Sequence, residues 1–231
     1  MVDIHSHLLP FVDDGSDGYE MSIELLKNAC NQGVTDVVLT PHYRHEFVED
    51  EQSILENFEK FKQIVNESGL KVNLYIGREV FIYNDYKEAI SGVKPNCLNG
   101  TKYILVEFDF DTVVDIVNIV YELARKGYIP IVAHLERYEY ANLNTAVEIK
   151  QSGGLIQVNA QSLVNPERRS QKKFLTTLLD ENLVDFVASD IHANRKYLMK
   201  KAFNKVLKKY GRDTASAVFY QNAQNIIKGQ S

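Results

Sequence analysis

Two histidines separated by one residue are the first sign of chemistry in this chain. His5 and His7 end a short apolar, β-branched segment, and alternate residues of a β-strand point to the same face. Two neutral imidazoles on one face can bind one metal ion, since imidazole nitrogen is a common ligand of divalent transition metals. The spacing therefore predicts a metal-binding strand end.

The same arrangement, an apolar run that ends in a histidine or an acid, recurs along the chain. It places His42, Glu79, Glu107, His134, Asp190 and His192 after such runs. A single histidine there is more often a hydrogen-bonded, partly buried residue than a ligand. However, five of the six histidines take such positions, and only His45 falls in a polar loop, where we expect it to be exposed. We expect the strand-end residues to form one polynuclear metal site.

A further candidate ligand lies in the loop after His7. Asp13-Asp14-Gly15-Ser16 is typical of a turn that leads into a helix, but its position at the expected site makes Asp14 a candidate. Imidazoles and carboxylates without thiolates suit manganese, iron or zinc. With about three divalent ions, the four carboxylates would leave the site about two charges positive, which would attract a phosphate dianion.

The elements that must position these residues alternate along the chain. Apolar runs predict about seven strands, at residues 2–5, 34–40, 72–77, 103–107, 129–133, 155–159 and 184–188. Helical patterns occupy residues 19–32, 50–68, 86–91, 113–126, 145–152, 168–181, 194–210 and 214–228. Alternation predicts a parallel α/β sheet, either a barrel or an open sheet. Polar residues at the carboxyl ends of strands favour a barrel-like site; the sixth strand offers only Gln157 and Asn159, which are weaker ligands.

Composition limits the class of protein. The 231 residues, with 45% hydrophobic side chains, predict one domain over residues 1–231. No apolar run approaches the roughly 20 residues that cross a bilayer, so we expect no stable membrane insertion. Two cysteines and no secretion-type leader favour a cytoplasmic protein. A net charge of −5 argues against nucleic-acid binding, although residues 195–209 contain seven basic and no acidic side chains.

The candidate ligands also resemble the scattered motifs of the polymerase and histidinol phosphatase (PHP) superfamily of metal-dependent phosphoesterases. More narrowly, the chain resembles the manganese-dependent protein-tyrosine phosphatases of bacterial capsule and exopolysaccharide loci. The motifs that match are Asp3-Ile4-His5-Ser6-His7, Asp13-Asp14-Gly15, Thr40-Pro41-His42, His134-x-Glu136-Arg137 and Ser189-Asp190-x-His192.

The resemblance implies a distorted (β/α)7 relative of the TIM barrel with a trinuclear site at the carboxyl ends of its strands. It implies Mn²⁺, with iron or zinc as alternatives, and a PHP-type metallophosphoesterase domain in which Glu107 bridges two ions. Its implied ligand sets are His5, His7, Glu107 and Asp190; Glu79, Glu107 and His134; and Asp14, His42 and His192. The implied substrate is the phosphorylated, tyrosine-rich tail of a bacterial tyrosine autokinase.

Phosphomonoester hydrolysis needs an activated water and a phosphate clamp. A metal-bound hydroxide can attack phosphorus in line, so no covalent nucleophile is required. Arg137 and Arg195 are the candidate catalytic clamps because guanidinium groups bind phosphate oxygens in pairs; Arg44 and Arg78 are weaker candidates. The rings of Phe11, Tyr43 and Tyr138 (and of Tyr140) flank expected ligands and could stack on a phosphotyrosine ring.

Several alternatives remain open at this point. A small-molecule phosphatase, such as one acting on histidinol phosphate, could use the same metals. An amidohydrolase would usually have a lysine and a histidine where Glu107 and Asn159 stand. A nucleic-acid exonuclease and a non-catalytic metal-binding partner are further possibilities. A cysteine-based tyrosine phosphatase is excluded because Asp36 and Tyr103, not arginine, lie six residues after Cys30 and Cys97.

Overall fold

Parallel strands alternate with helices throughout the chain. A computed structural model describes residues 1–44, 46–47, 50–82 and 97–230. The strands are β1 (Val2–Asp3), β2 (Asp36–Leu39), β3 (His42–Tyr43), β4 (Asn73–Ile76), β5 (Glu79–Phe81), β6 (Tyr103–Glu107), β7 (Ile129–Val132), β8 (Leu155–Asn159) and β9 (Phe186–Ala188). Every pairing between these strands is parallel.

Two of the strand positions are interrupted in the middle. The strands hydrogen-bond in the orders β1-β2-β4 and β3-β5-β6-β7-β8-β9. Thr40 and Pro41 separate β2 from β3, while Gly77 and Arg78 separate β4 from β5. The pairing register is the same on both sides, because Asp36 pairs with Asn73 and His42 with Glu79. Each interrupted pair therefore acts as one strand, which gives seven strand positions around the sheet.

The sheet curls until its first and last strands meet. Ser6 and Ile191 form a parallel β-bridge, and the Asp190 amide donates to the His5 carbonyl oxygen at 2.9 Å. Among the described residues β4 pairs only with β2, and Leu98 packs against Gly77, where a Cβ would lie 2.6 Å from Leu98 Cδ2. This gap between β4 and β6 distorts the barrel. The predicted α/β, barrel-like fold is confirmed.

The helices cover the outer surface of the sheet. They are α1 (Tyr19–Asn31), α2 (Glu51–Glu67), α3 (Ile116–Arg125), α4 (Leu143–Gln151), α5 (Ala160–Val164), α6 (Arg169–Asp180), α7 (Met199–Phe219) and α8 (Gln224–Ile227). Side-chain caps fix several helix starts: Asp50 accepts from the Ser53 amide at 3.0 Å, and Asn142 forms a capping box with Thr145. None of the described helices is long and apolar enough to cross a membrane.

Three differences from the predicted elements concern the second half of the chain. The helix predicted over residues 194–210 begins only at Met199 and continues to Phe219, with a break at Gly211, whose φ is 87°. The break separates two helical segments, so the helix predicted over residues 214–228 is present only in part, as the segment that ends at Phe219 and as α8 (Gln224–Ile227); α5 was not predicted. The helix predicted over residues 86–91 and the exposed position predicted for His45 lie outside the described residues.

Candidate metal centre

The nine predicted metal ligands converge at the carboxyl ends of the strands. Eight of them are buried, whereas the Asp14 side chain is 64% exposed. Ligand atoms within 4.8 Å of one another form four sets: His7, Asp14, His42 and His192; His5, His7 and Asp190; His5, Glu79 and His134; and His42, Glu79 and Glu107. The strand order alone brings these residues together, although they are far apart in sequence.

Glu79 is the central carboxylate of the cluster. Its Oε1 lies 3.2 Å from His5 Nε2 and 3.0 Å from His134 Nε2. Its Oε2 lies 3.2 Å from His7 Nε2 and 3.0 Å from His42 Nδ1. The resemblance implies Glu107 as the bridging residue, and that assignment stays a prediction; Glu79 belongs to two of the four sets and Glu107 to one.

Glu107 has a different environment at the edge of the cluster. It forms a short ion pair with Arg44, so Glu107 has a positively charged partner within the chain. Its carboxylate also lies 3.6 Å from His134 Nε2 and 3.7 Å from His42 Nδ1. Burial and the neighbouring Glu79 raise the pKa of Glu107 to about 8. Two carboxylates this close favour a cation between them.

Unpaired polar atoms in the cluster fit a bound cation. Glu79 Oε2 and His42 Nδ1 are buried and lie 3.0 Å apart, but their geometry is not that of a hydrogen bond. The buried His134 Nδ1 also has no hydrogen-bond partner, and such atoms are costly inside a protein. Despite burial, the nearby His5 and His42 hold the pKa of Glu79 well below its usual range, so it is a carboxylate ready to bind metal. The mixture of imidazole and carboxylate donors is the set that divalent transition metals accept.

Hydrogen-bond acceptors on the Nδ1 side of two rings fix the orientation of these histidines. The Nδ1 of His7 donates to Asp13 Oδ2 at 2.8 Å, and the Nδ1 of His192 donates to the Asp190 carbonyl oxygen at 3.1 Å. Each ring then presents the lone pair of Nε2 to the centre. Although burial opposes ionisation, His7 lowers the pKa of Asp13 to about 2. Asp13 is thus a buried anion that orients His7, a role that the turn-like sequence around it did not reveal.

A pair of buried amides links His5 to Asp190, and we call Gln157 and Asn159 the amide pair. The Nδ1 of His5 donates to Gln157 Oε1 at 3.1 Å. Gln157 then donates to Asn159 Oδ1 at 2.8 Å, and Asn159 donates to Asp190 Oδ2 at 2.7 Å. The amide pair therefore orients ligands instead of acting as weak ligands. Its sequence signal was two polar residues two positions apart in an otherwise apolar strand.

Two arginines meet at the outer oxygen of Asp190. Arg195 donates to Asp190 Oδ2 at 2.7 Å, and the guanidinium of Arg137 lies 3.6 Å from the same atom. The other oxygen, Oδ1, lies 3.6 Å from both His5 Nε2 and His7 Nε2. The Arg137 and Arg195 side chains are 29% and 36% exposed, so an anion from solvent can reach both. Arg78, in contrast, is buried and donates to the His42 carbonyl oxygen at 2.7 Å, which is a structural role.

The predicted aromatic residues differ in their exposure. Phe11 is 57% and Tyr43 is 39% exposed near the ligand loops, so both can meet a substrate. Tyr138 is only 1% exposed and lies beneath Phe110, with 5.3 Å between the ring centroids. A substrate ring cannot stack on Tyr138 in this structure, so that prediction does not fit its burial. Phe110, which the sequence did not mark, stacks under Arg137 at 4.2 Å.

A family model described as capsular polysaccharide synthesis, CpsB/CapC, matches residues 1–228. The chain belongs to the CpsB/CapC family. It is 36% identical to CapC of Staphylococcus aureus over 99% of this chain and 89% of that protein. It is 34% identical to CpsB of Streptococcus agalactiae serotype V, a protein named as a tyrosine-protein phosphatase, over 99% of this chain and 98% of the relative.

Solved structures of CpsB/CapC relatives share the fold. A crystal structure from a study of YwqE of Bacillus subtilis and CpsB of Streptococcus pneumoniae, described as metal-dependent tyrosine phosphatases, has a TM-score of 0.90 and 30% identity and covers 100% of this chain and 96% of that one. A histidinol phosphate phosphatase of Lactococcus lactis, at 16% identity and a TM-score of 0.58 over 91% of this chain and 93% of that one, shares the fold alone.

Proposed function

We propose that this CpsB/CapC family member is a metal-dependent protein-tyrosine phosphatase. One observation carries the proposal: a buried histidine and carboxylate cluster lies beside two solvent-accessible arginines, in a fold that matches metal-dependent tyrosine phosphatases with a TM-score of 0.90. The names of the relatives, which are curated as tyrosine-protein phosphatases, support the same substrate class.

The proposed metal site is trinuclear, and Mn²⁺ is the proposed ion. The ligands would be His5, His7, Asp14, His42, Glu79, Glu107, His134, Asp190 and His192. The four ligand sets support more than one ion, and the oxygen and imidazole donors suit manganese as well as iron or zinc. When bound, such ions supply positive charge and a water with a lowered pKa.

In the proposed reaction the chain's own residues hold the phosphoryl group. Arg137 and Arg195 would leave Asp190 Oδ2 in part and donate to two phosphate oxygens, which stabilises the charge that develops during in-line attack by water. Phe11 and Tyr43 would contact the substrate ring from the rim. Glu79, which touches four histidines, keeps the ligand side chains in place. No cysteine takes part.

We further propose a cytoplasmic site of action on a phosphorylated, tyrosine-rich segment of a capsule or exopolysaccharide autokinase. The family description, capsular polysaccharide synthesis, supports the pathway, and two free cysteines suit a reducing compartment. Arg137 and Arg195 line a cleft that is open to solvent, which suits a phosphorylated side chain on a flexible peptide.

Substrate comparison tests the proposal. Manganese-loaded protein should hydrolyse a phosphotyrosyl peptide with a kcat/KM about 10²-fold or more above that for histidinol phosphate. His192→Ala should abolish turnover, while Arg212→Ala, on exposed α7, should not. The reverse substrate preference would instead support the small-molecule phosphatase alternative. Full activity of His192→Ala would contradict the proposed site.

A further inference from the structure

Positive charge is concentrated in one part of an acidic chain. Residues 167–209 contain eleven basic and five acidic side chains, a formal charge of +6, although the whole chain carries −5. The fold brings much of this charge beside α5, because Lys205 of α7 donates to the carbonyl oxygen of Leu163 at 2.6 Å. An exposed basic face on an acidic protein favours an anionic partner.

This face contains two adjoining clefts. The first begins at the metal centre, since Arg137, Asn159 and Arg195 line it and all three contact Asp190. The second lies between α6 and α7, and Ser162 lines both clefts. We call the two clefts together the basic groove. It leads from the catalytic arginines across α5 to a second set of positive side chains.

The second cleft combines an apolar floor with a basic rim. Its floor includes Leu163, Leu175, Leu179 and Val206, and its rim carries Lys172, Lys205 and Lys209. Lys209 also lies 3.2 Å from Asp180, an exposed pair that a doubly charged anion can displace. An apolar floor accepts an aromatic ring, and ammonium groups accept a phosphate. Phosphotyrosine has both parts.

The spacing suits one peptide. Leu163 follows Asn159 by four residues of helix, a rise of about 6 Å. An extended peptide advances about 3.3 Å per residue, and long side chains extend its reach at each end. Two to three extended residues span about 7–10 Å, enough to cover this rise. A segment whose first phosphotyrosine lies at the metal centre can therefore place a second one, up to about three residues away, in the second cleft.

We propose that the basic groove binds a second phosphotyrosine of a multiply phosphorylated substrate while the first is hydrolysed. This inference rests on the proposed function and deepens it. The groove would favour clustered phosphotyrosines and hold the peptide between successive hydrolysis events, because the second contact raises the local concentration of the next phosphate.

Peptides with one or two phosphotyrosines, about three residues apart, test the groove. We expect the doubly phosphorylated peptide to have a KM about threefold to tenfold lower. Lys205→Gln with Lys209→Gln should remove that advantage and leave the singly phosphorylated peptide unchanged. The matched control, Lys200→Gln with Lys208→Gln, removes the same charge from the same helix at positions that line neither cleft. This control should keep the lower KM for the doubly phosphorylated peptide.

A binding measurement separates the groove from the chemistry. Fluorescence anisotropy with metal-free protein should show that the doubly phosphorylated peptide binds more tightly than the singly phosphorylated one. The Lys205 and Lys209 substitutions should abolish this difference in affinity. Equal KM values for the two peptides in an active enzyme would overturn the proposed second phosphotyrosine site and leave the proposed function intact. Failure to hydrolyse either peptide would contradict the proposed function. If the Lys205 and Lys209 substitutions abolished binding to anionic phospholipid vesicles but left the KM of both peptides unchanged, this face would bind a membrane, and the proposal would be overturned.

Discussion

At the candidate metal centre, the acceptors that bind the Nδ1 atoms of the histidines determine how the rings are oriented. Three rings have their Nδ1 atoms committed to Gln157, Asp13 or a backbone carbonyl. Each commitment selects one tautomer and leaves Nε2 as the metal-binding atom. We therefore expect the residues behind the candidate ligands to influence metal affinity.

Replacing Gln157 by leucine should weaken metal binding. The change removes the acceptor for His5 Nδ1 and the donor to Asn159 Oδ1 in one step. We expect metal affinity to fall about 10- to 100-fold, measured by titrating Mn²⁺ into metal-free protein. Gln151→Leu, an exposed change at the end of α4, is the control. Unchanged affinity in Gln157→Leu would show that the amide pair does not orient the ligands.

Arg137→Lys should separate a paired phosphate contact from simple positive charge. Lysine keeps the charge but loses the planar pair of donors, so we expect kcat/KM for phosphotyrosyl peptide to fall about tenfold or more. Arg212→Lys, exposed on α7, should have no effect. Steady-state kinetics measure the difference, and wild-type kinetics in Arg137→Lys would remove this residue from the phosphate contact.

Residue types predicted which side chains cluster at the candidate metal centre, but not the residues that orient them. His5, Glu79 and Asp190 carry a chemical signature at the end of an apolar run, so sequence alone marks them. Asp13 resembles any turn aspartate because its role depends on the orientation of the His7 ring. The amide pair resembles weak ligands because its role depends on partners that lie 152 and 31 residues away in sequence. Tyr138 looked accessible because nothing in the sequence indicates that Phe110 covers it.

At the scale of elements, the loop after β1 is shaped by a glycine. A Cβ at Gly15 would lie 2.1 Å from the His7 carbonyl oxygen and 2.4 Å from His7 Cβ. The loop therefore packs directly on a predicted ligand, while Asp13 in the same loop orients that ligand's ring. One short segment therefore both packs against His7 and orients its ring.

Gly15→Ala should damage both stability and activity. The added methyl group meets backbone that cannot move freely, so we expect a loss of about 1–3 kcal/mol in the free energy of unfolding and a large fall in turnover. Gly18→Ala is the matched control, since its Cβ would meet nothing closer than 3.9 Å. Chemical denaturation and a phosphatase assay measure the two effects. Equal stability of the two variants would contradict the packing argument.

The strands were predictable because buried parallel strands are nearly continuous apolar runs. Their interruptions were not. Arg78 is buried and donates to the Pro41 and His42 carbonyl oxygens, contacts that only the paired strands create. The late start of α7 has a similar cause: Tyr197 turns inward and donates a short hydrogen bond to Asp3. Tertiary contacts override the helical pattern of residues 194–198 there.

For the whole molecule, metal binding should contribute to stability as well as to activity. The cluster gathers Glu79, Glu107 and Asp190 in a buried space, and a cation relieves their mutual repulsion. Removal of metal by a chelator should lower Tm by about 5–10 °C, the shift expected for an ion at about 100-fold its Kd. Scanning calorimetry with and without chelator measures it.

A Glu79→Gln variant is the control for metal removal. It loses the charge of the central carboxylate, so its Tm should hardly respond to chelator. An unchanged Tm in the wild-type protein, or an equal shift in Glu79→Gln, would mean that the chelator acts elsewhere.

The bridge between Ser6 and Ile191 also sets an order of events during synthesis. A domain generally folds as a unit, and this contact joins Ser6, after the first strand, to Ile191, after the last one. His5 and His7 therefore leave the ribosome long before Asp190 and His192 can meet them. We therefore expect the complete set of candidate ligands to form only after residues 190–192 have left the ribosome.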